Sequence, residues 1–538
     1  MTIKTSNTLS KIGFASFIMM GSVFASRIIG LVRESTIAWM GGARASVDAY
    51  QVAFIIPEIL NHIVASGFLS ITFIPIFAHY LSRGEDEEGF AVFSIIFNGF
   101  GLMLMGFIVI TMIWTPQFVT LFAPGLNDVA TFELAVRMTR IIIPAQFFFF
   151  TGGLFMAVQF TNERFLIPAL APLIYNIGII TGGIFLYPVL GMEGFAWGVL
   201  GGAFLGSFLL QLLGAKQAGL RYTFNFNIFH PDFLKYILLT LPLMVGLTMT
   251  FSTEILMKFF GSFLQEGSIA AMNYGLRIMF ILVGFFGQAI GMASYPFMAK
   301  IAAAGEIQRL NQMINQTLKF IFLVIPFSIL FIVLRREIVM ILFQRGAFDI
   351  QATQLTAGIL PYFLLGAFAF SAQTIVSRGY YALQNTVFPA IFSTVCVLAS
   401  LPMIYGFMKL LGIKGVALGL SVSVTLSSLL LFECWNRKAK NTEKIQVYTF
   451  FLKLLPISFV LGALLQAAAM GLRQIFNPTT LGGSLVICVS TGLIFLILLP
   501  LMGKISGIKE INLLYDKIFR RILPWLKKES QRIPPQKK

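Results

Sequence analysis

Three charged residues sit inside the first long apolar run of the chain: Arg27, Arg33 and Glu34, in "FASRIIGLVRES" (24–35). A lipid-facing helix should hold none of them, because a charge at the bilayer centre costs on the order of 2.5–3.5 kcal/mol on insertion scales. Such residues face protein or water, and inside a membrane they mark a binding site or pathway by default. Counted from Lys11, Arg27 lies roughly 24 Å and Arg33 roughly 33 Å along the helix. Arg27 and Glu34, seven residues apart, share a helix face; Arg33 points about 120° away from Arg27. Two chemistries fit. Either Arg27 and Glu34 form an internal bridge that locks helix packing, or the arginines line a cavity and bind an anion. Arginine suits phosphate because its planar fork donates parallel hydrogen bonds and never loses its charge.

Other polar residues interrupt the apolar runs. Asp48 opens the second run ("SVDAYQVAF"), either as a cavity group or as a helix cap. Glu58, Asn61 and His62 follow in "IPEILNHIVASGF"; His62 reads as a satisfied core residue or as a titrating switch. Arg277, in "NYGLRIMFILVGF", lies well past any loop, so a cavity explains it better than snorkelling. Glu133, Arg137 and Arg140 recur at i, i+4 and i+7 and read as a self-neutralising packing face. His62, His79 and His230 have no metal spacing, and Cys396, Cys434 and Cys488 form no CxxC pair; they read as core or lipid-facing thiols. There is no GxxxxGK[ST] loop, so ATP is not the expected energy source. No carboxylate or histidine cluster suits catalysis, so neither an enzyme nor a cofactor is expected.

The elements that carry these residues follow from composition. The chain has 538 residues, 57% hydrophobic and only 11% charged, with a mean hydropathy of +0.85. Runs of about 20 apolar residues, one membrane crossing each, recur throughout. They are continuous rather than alternating, which excludes a β-barrel. The expected fold is an all-α polytopic membrane protein with fourteen spans: 12–40, 48–80, 90–115, 129–160, 165–188, 192–214, 234–260, 268–299, 313–334, 352–378, 386–408, 414–436, 447–470 and 479–503. The first run is too long for a signal peptide and reads as a retained span.

Lys and Arg set the orientation. With the N-terminus inside, inner loops carry residues such as Arg83, Lys216, Arg309, Arg378 and Lys438, and the tail from Lys504 adds ten more. Outer loops hold few, with Arg335, Arg336 and Arg345 the main exceptions. Both ends are therefore expected in the cytoplasm. The formal net charge of +17 is a topology signal rather than a nucleic-acid one. In the tail (504–538), Ile511, Leu514, Ile518 and Ile522 recur at helical spacing before Trp525; the segment reads as a helix on the anionic inner leaflet or as a solvated tail.

A shift of 221 residues aligns distinctive loop residues. Pro75 meets Pro296, Gly84-Glu85 meets Gly305-Glu306, Gly125 meets Gly346, Asp128 meets Asp349, Pro168 meets Pro389, and "LGMEGFAWG" (190–198) meets "LGIKGVALG" (411–419). Each unit holds six spans, an even number, so the two lobes enter the membrane alike and relate by a pseudo-two-fold along the membrane normal. The domains expected are 1–225 and 226–440 as two six-helix lobes, 441–503 as two added helices, and the tail.

At these residues the chain resembles a known family. "SRIIGLVRE" (26–34), "DAYQVAFIIP" (48–57), "SGFLSITFIPIF" (66–77), "LQEGSIAAMNYGLRI" (264–278), "FQRGAF" (343–348) and "SRGYYALQNT" (377–386) are similar to the MurJ/MviN lipid II flippases of the multidrug/oligosaccharidyl-lipid/polysaccharide exporter superfamily. The resemblance runs from about residue 10 to 505. It implies lipid II, a polyprenyl pyrophosphate bearing a glycopeptide, as cargo, carried from the inner to the outer leaflet of the cytoplasmic membrane for peptidoglycan synthesis. It implies membrane lipids and wall-synthesis proteins as partners, and no nucleic acid. It places Arg27, Arg33, Glu34, Asp48 and Arg277 in a headgroup cavity, with Asn61 and His62 beside them, and it makes the last two spans a groove for the polyprenyl tail. The family usually has an arginine pair where this chain has Asn61-His62, and an acidic residue where it has Phe280. The rival readings are a flippase for another lipid-linked oligosaccharide and a multidrug or ion antiporter; the arginines argue against the latter. Without an ATP site, membrane potential or an ion gradient is the expected drive.

Overall fold

The computed structural model describes residues 2–64, 72–248, 252–508 and 510–511. All regular structure among them is helical. Among the described residues ten helices are long and apolar enough to cross a membrane, and the bent pair Ile350–Leu364 and Ala367–Ala382, kinked by 43°, makes eleven if it is one span. The three remaining expected spans, 1, 2 and 7, are the charged or interrupted ones. Span 1 is the helix Thr2–Gly41. Span 2 comprises Ala45–Ala53, Ile55–Val64 and Ile74–Ser82. Span 7 comprises Pro231–Thr248 and Ser252–Gly261. Most of the tail helix expected over 504–528, from residue 512 on, lies outside the described residues. Ile508 and Ile511, at its start, are buried against the core.

The 221-residue repeat is written in the backbone. Gly191 and Gly412 end spans 5 and 11 with φ 57° in both and ψ −139° and −132°. Positive φ recurs at Gly84 and Gly305, at Glu163 and Gln384, and at Gly219 and Lys440, each pair 221 apart. Asp128 and Asp349 both cap a helix, accepting from the amides of Thr131 and Ala352 at 2.8 Å. A side-chain carboxylate satisfies an otherwise orphan N–H of a first helical turn, which is why both helices start there. The repeat is looser in packing. Spans 5 and 6 meet backbone to backbone, since a Cβ on Gly182 would stand 2.4 Å from the Gly198 Cα. Small residues four apart permit that approach in a membrane.

Two departures from the expected organisation stand out. The first is span 7, which is shared between lobes. Phe233 and Tyr236 in its first half join the buried cluster of Phe77, Phe93, Phe100 and Phe150 in the first lobe, and Tyr80 Oη donates to Asp232 at 2.5 Å. The first half of span 7 thus packs on the first lobe. The second concerns the cations of the 335–346 connection. Arg335 donates to the carbonyl of Ile332, and Arg345 to those of Ile341 and Leu342. They satisfy helix C-terminal carbonyls, which explains positive charge on the face that the charge bias makes outer.

The added helices Lys444–Ile475 and Leu481–Ile505 are fastened at both ends. At one end Arg473 Nε and Nη2 donate to Glu337 at 2.7 and 3.0 Å, with Glu337 fully buried. At the other, Lys444 bridges Glu433 at 2.6 Å, and Asn441 pairs with Asn315 through two side-chain hydrogen bonds.

Candidate functional site

The lobes meet at the face where span 1 ends, outer by the charge bias. Ala347 N–H donates to the Trp39 carbonyl at 2.8 Å, Tyr274 Oη to the Gly42 carbonyl at 3.1 Å, and Gly125 N–H to Ser262 Oγ at 3.0 Å. Asp48 belongs to this seam. Its Oδ2 accepts from Gly267 N–H at 2.6 Å and its Oδ1 from Ala270 N–H at 2.7 Å. It caps a helix, as one of its two expected roles had it, but the helix is Ser268–Val283 of the other lobe rather than its own. Its oxygens are thereby occupied, and the side chain is buried.

Beneath the seam lies a chain of charges. Arg33 Nη2 donates to Glu34 Oε1 at 2.6 Å and Nη1 to Asn176 at 3.0 Å. Glu34 Oε2 accepts from Asn273 at 3.3 Å, and its Oε1 stands 3.9 Å from Arg277 Nε. Arg277 in turn forks onto Glu254, with Nη1 and Nη2 at 3.3 and 3.4 Å from its two oxygens. Glu58 of span 2 accepts from Lys258 of span 7 at 3.0 Å. The order Arg33, Glu34, Arg277, Glu254 alternates in sign and crosses from one lobe to the other.

The arginines are partnered yet not sealed. The side chains of Arg33 and Arg277 keep 23% and 29% exposure. Arg27 is exposed. Its Nη1 lies against Gly284, where an added Cβ would stand 2.5 Å away. The expected bridge between Arg27 and Glu34 does not form, because Glu34 turns to Arg33 and Arg277. Asn61 is half-buried on Ile55–Val64; the side chain of His62 lies outside the described residues. Arg137 pairs with both Glu133 and Glu193, and Arg140 donates to the Met112 carbonyl, so that face reaches beyond its own helix.

Glu254 and Lys258 are the residues that sequence reasoning passed over. Lys258 is only 1% exposed and supplies a cation to Glu58 of span 2, the helix that also carries Asn61 and His62. Arg33, Arg277 and Lys258 stand against Glu34, Glu254 and Glu58, so these pairs balance, and Arg27 is a cation with no carboxylate partner among the described residues. Buried pairs gain little net energy, but a guanidinium with spare donors favours an anion. Among the described residues no group of three His, Cys, Asp or Glu could hold a metal.

Residues 37–490 match the family described as lipid II flippase MurJ. The chain belongs to the lipid II flippase MurJ family. A "Lipid II flippase MurJ" from Burkholderia cenocepacia is 27% identical over 458 residues, covering 84% of this chain and 89% of that one. A "Probable lipid II flippase MurJ" from Haemophilus influenzae is 28% identical over 469 residues, covering 83% and 89%. Among solved structures, "Lipid II flippase MurJ, inward closed conformation" superposes with a TM-score of 0.71 at 25% identity, covering 89% of this chain and 98% of that one. An inward-facing multidrug MATE transporter of the MOP superfamily shares the fold at 14% identity and a TM-score of 0.63, covering 79% and 95%. The multi-pass helical membrane architecture read from composition stands on this match and on the apolar helices.

Proposed function

We propose that this chain is a lipid II flippase working by alternating access, with both termini in the cytoplasm. The observation that carries the reading is the position of the arginines. Arg27, Arg33 and Arg277 lie under a seam that joins the lobes at one face, and each keeps part of its side chain exposed. The lipid's pyrophosphate enters from the inner leaflet and is met by Arg27 first, since among the described residues no carboxylate pairs with that side chain. It then draws Arg33 and Arg277 away from Glu34 and Glu254. Relaxing those pairs loosens the bridge between lobes, and the lobes rock so that the seam opens outward. Asp48 must release Gly267 and Ala270 in that step. The polyprenyl tail stays in lipid or along spans 13 and 14. Membrane potential or an ion gradient drives the cycle; one charge through 100 mV is worth about 2.3 kcal/mol.

Rescue of cells depleted of their own lipid II flippase tests this. The wild-type chain is expected to restore growth, and Arg27→Ala is expected to lose it while His62→Ala keeps it. Failure of the correctly inserted wild-type chain, or full rescue with Arg27, Arg33 and Arg277 all changed to Ala, contradicts the reading.

A further inference from the structure

A second arginine with no carboxylate partner among the described residues lies in the other lobe. Arg378 falls within Ala367–Ala382, four residues before that helix ends at the inner face, rather than in a loop. Its one hydrogen bond runs from Nη2 to Gln288 Oε1, at a long 3.4 Å. Its Nη1 is buried without a hydrogen-bond partner among the described residues. That nitrogen rests on Gly291 of span 8, where an added Cβ would come within 2.3 Å of it. The other polar groups its charge faces are the half-exposed phenols of Tyr295 and Tyr381. A buried, unpartnered donor on a permanent cation is an unfavourable arrangement, retained where a ligand completes it.

The repeat shows that the fold does not require it. The residue 221 positions earlier is Ala157, buried in the matching helix Ala145–Thr161 of the first lobe. Span 8 also links the two unpaired arginines. Arg27 lies on its Gly284 and Arg378 on its Gly291. Seven residues separate those glycines, roughly 10 Å along the helix. Snorkelling does not account for the geometry, because a snorkelling arginine carries its nitrogens into water.

We infer that Arg378, with Gln288, Tyr295 and Tyr381, is an anion station at the inner end of the second lobe. It takes the phosphate of a lipid arriving from the inner leaflet and hands it along span 8 to Arg27. This rests on the flippase reading for the direction of travel, though the phosphate chemistry of the site stands apart from it.

The test titrates the full-length chain in phosphatidylcholine nanodiscs with a sugar-free polyprenyl diphosphate and, separately, with phosphatidylglycerol. Arg378→Gln is expected to weaken diphosphate binding about ten-fold, the loss of one charge-assisted contact. Arg378→Lys, which keeps the charge, is expected to recover most of it and guards against a folding defect, as does an unchanged thermal unfolding profile. A loss confined to the diphosphate identifies the cargo as the ligand; an equal loss for phosphatidylglycerol identifies any lipid phosphate. Wild-type affinity for both lipids in Arg378→Gln overturns the station alone. If the wild-type chain binds no diphosphate at all, both the station and the flippase reading fall.

Discussion

The two lobes share a backbone and differ in charge. The turns at 84 and 305, 163 and 384, and 191 and 412 repeat their torsions at one offset, and so do the caps Asp128 and Asp349. The charges between the lobes do not repeat at that offset. Arg33 corresponds to Glu254, Arg277 to Ile56, Lys258 to Ile37 and Asp48 to Ile269. Each lobe therefore presents charges that the other completes, as Glu58 with Lys258 and Glu34 with Arg277. Duplication supplied two rigid bodies of one shape. Divergence then confined their polar chemistry to the space between them, where an ion pair couples the bodies and an anion can uncouple them.

The strongest way to break this complementarity is to remove its hub. Arg277→Ala leaves Glu34 and Glu254 without their shared cation, and thermal unfolding in detergent should show a loss of about 3–5 kcal/mol. Arg277→Lys should recover little, because a lysine cannot fork onto Glu254. Next comes the pair between spans 2 and 7. Glu58→Lys and Lys258→Glu should each cost up to about 3 kcal/mol, Glu58 being partly exposed, and the double exchange should restore more than half of it. Additive losses would show that the two side chains act separately.

The seam should respond more mildly. Gly42 has φ +69°, and a Cβ there would stand 2.4 Å from the Ala347 carbonyl oxygen of the other lobe. Gly42→Ala should therefore strain the closed seam by about 1–3 kcal/mol, and Asp48→Ala by about 1–2 kcal/mol through lost capping. Both should speed modification of a cysteine placed at Asn273 by a membrane-impermeant reagent added outside. Unchanged labelling would mean that these contacts do not hold the seam.

The smallest effect concerns the shared scaffold. The Thr131 hydroxyl and amide hold the Asp128 carboxyl below the usual carboxylate range. A depressed value means that the cap contributes above the unfolded carboxylate's value and is lost as pH falls through the folded one. Hydrogen exchange at the Thr131 amide should rise in that acid window and, at neutral pH, in Asp128→Ala. Spans 7 and 8 should not respond.

Much of the scaffold was legible in the sequence, for physical reasons. Hydrocarbon thickness fixes span length, and turns demand Gly or an Asp cap, so apolar runs and loop residues at offset 221 carried the architecture. The site was half legible. Arg27, Arg33, Glu34 and Arg277 announced themselves because charge inside an apolar run needs a reason. Their partners did not. Which carboxylate meets which arginine depends on how the lobes dock, and helix periodicity alone suggested Arg27 with Glu34. Glu254 and Lys258 lie three or more residues from the end of span 7, where charges look like ordinary interface residues. A signal was present: at the repeat offset Arg33 faces Glu254, opposite in sign where duplication alone would give likeness.

The most direct test of the central claim is transport itself. Vesicles holding the purified full-length chain and fluorescent lipid II can be assayed for appearance of the headgroup on the opposite leaflet under an imposed membrane potential. Translocation by the wild-type chain, abolished in the variant with Arg27, Arg33 and Arg277 all changed to Ala, is the expected result. Equal translocation by both, or none by a correctly folded wild-type chain with a potential or with proton and sodium gradients imposed, would contradict it.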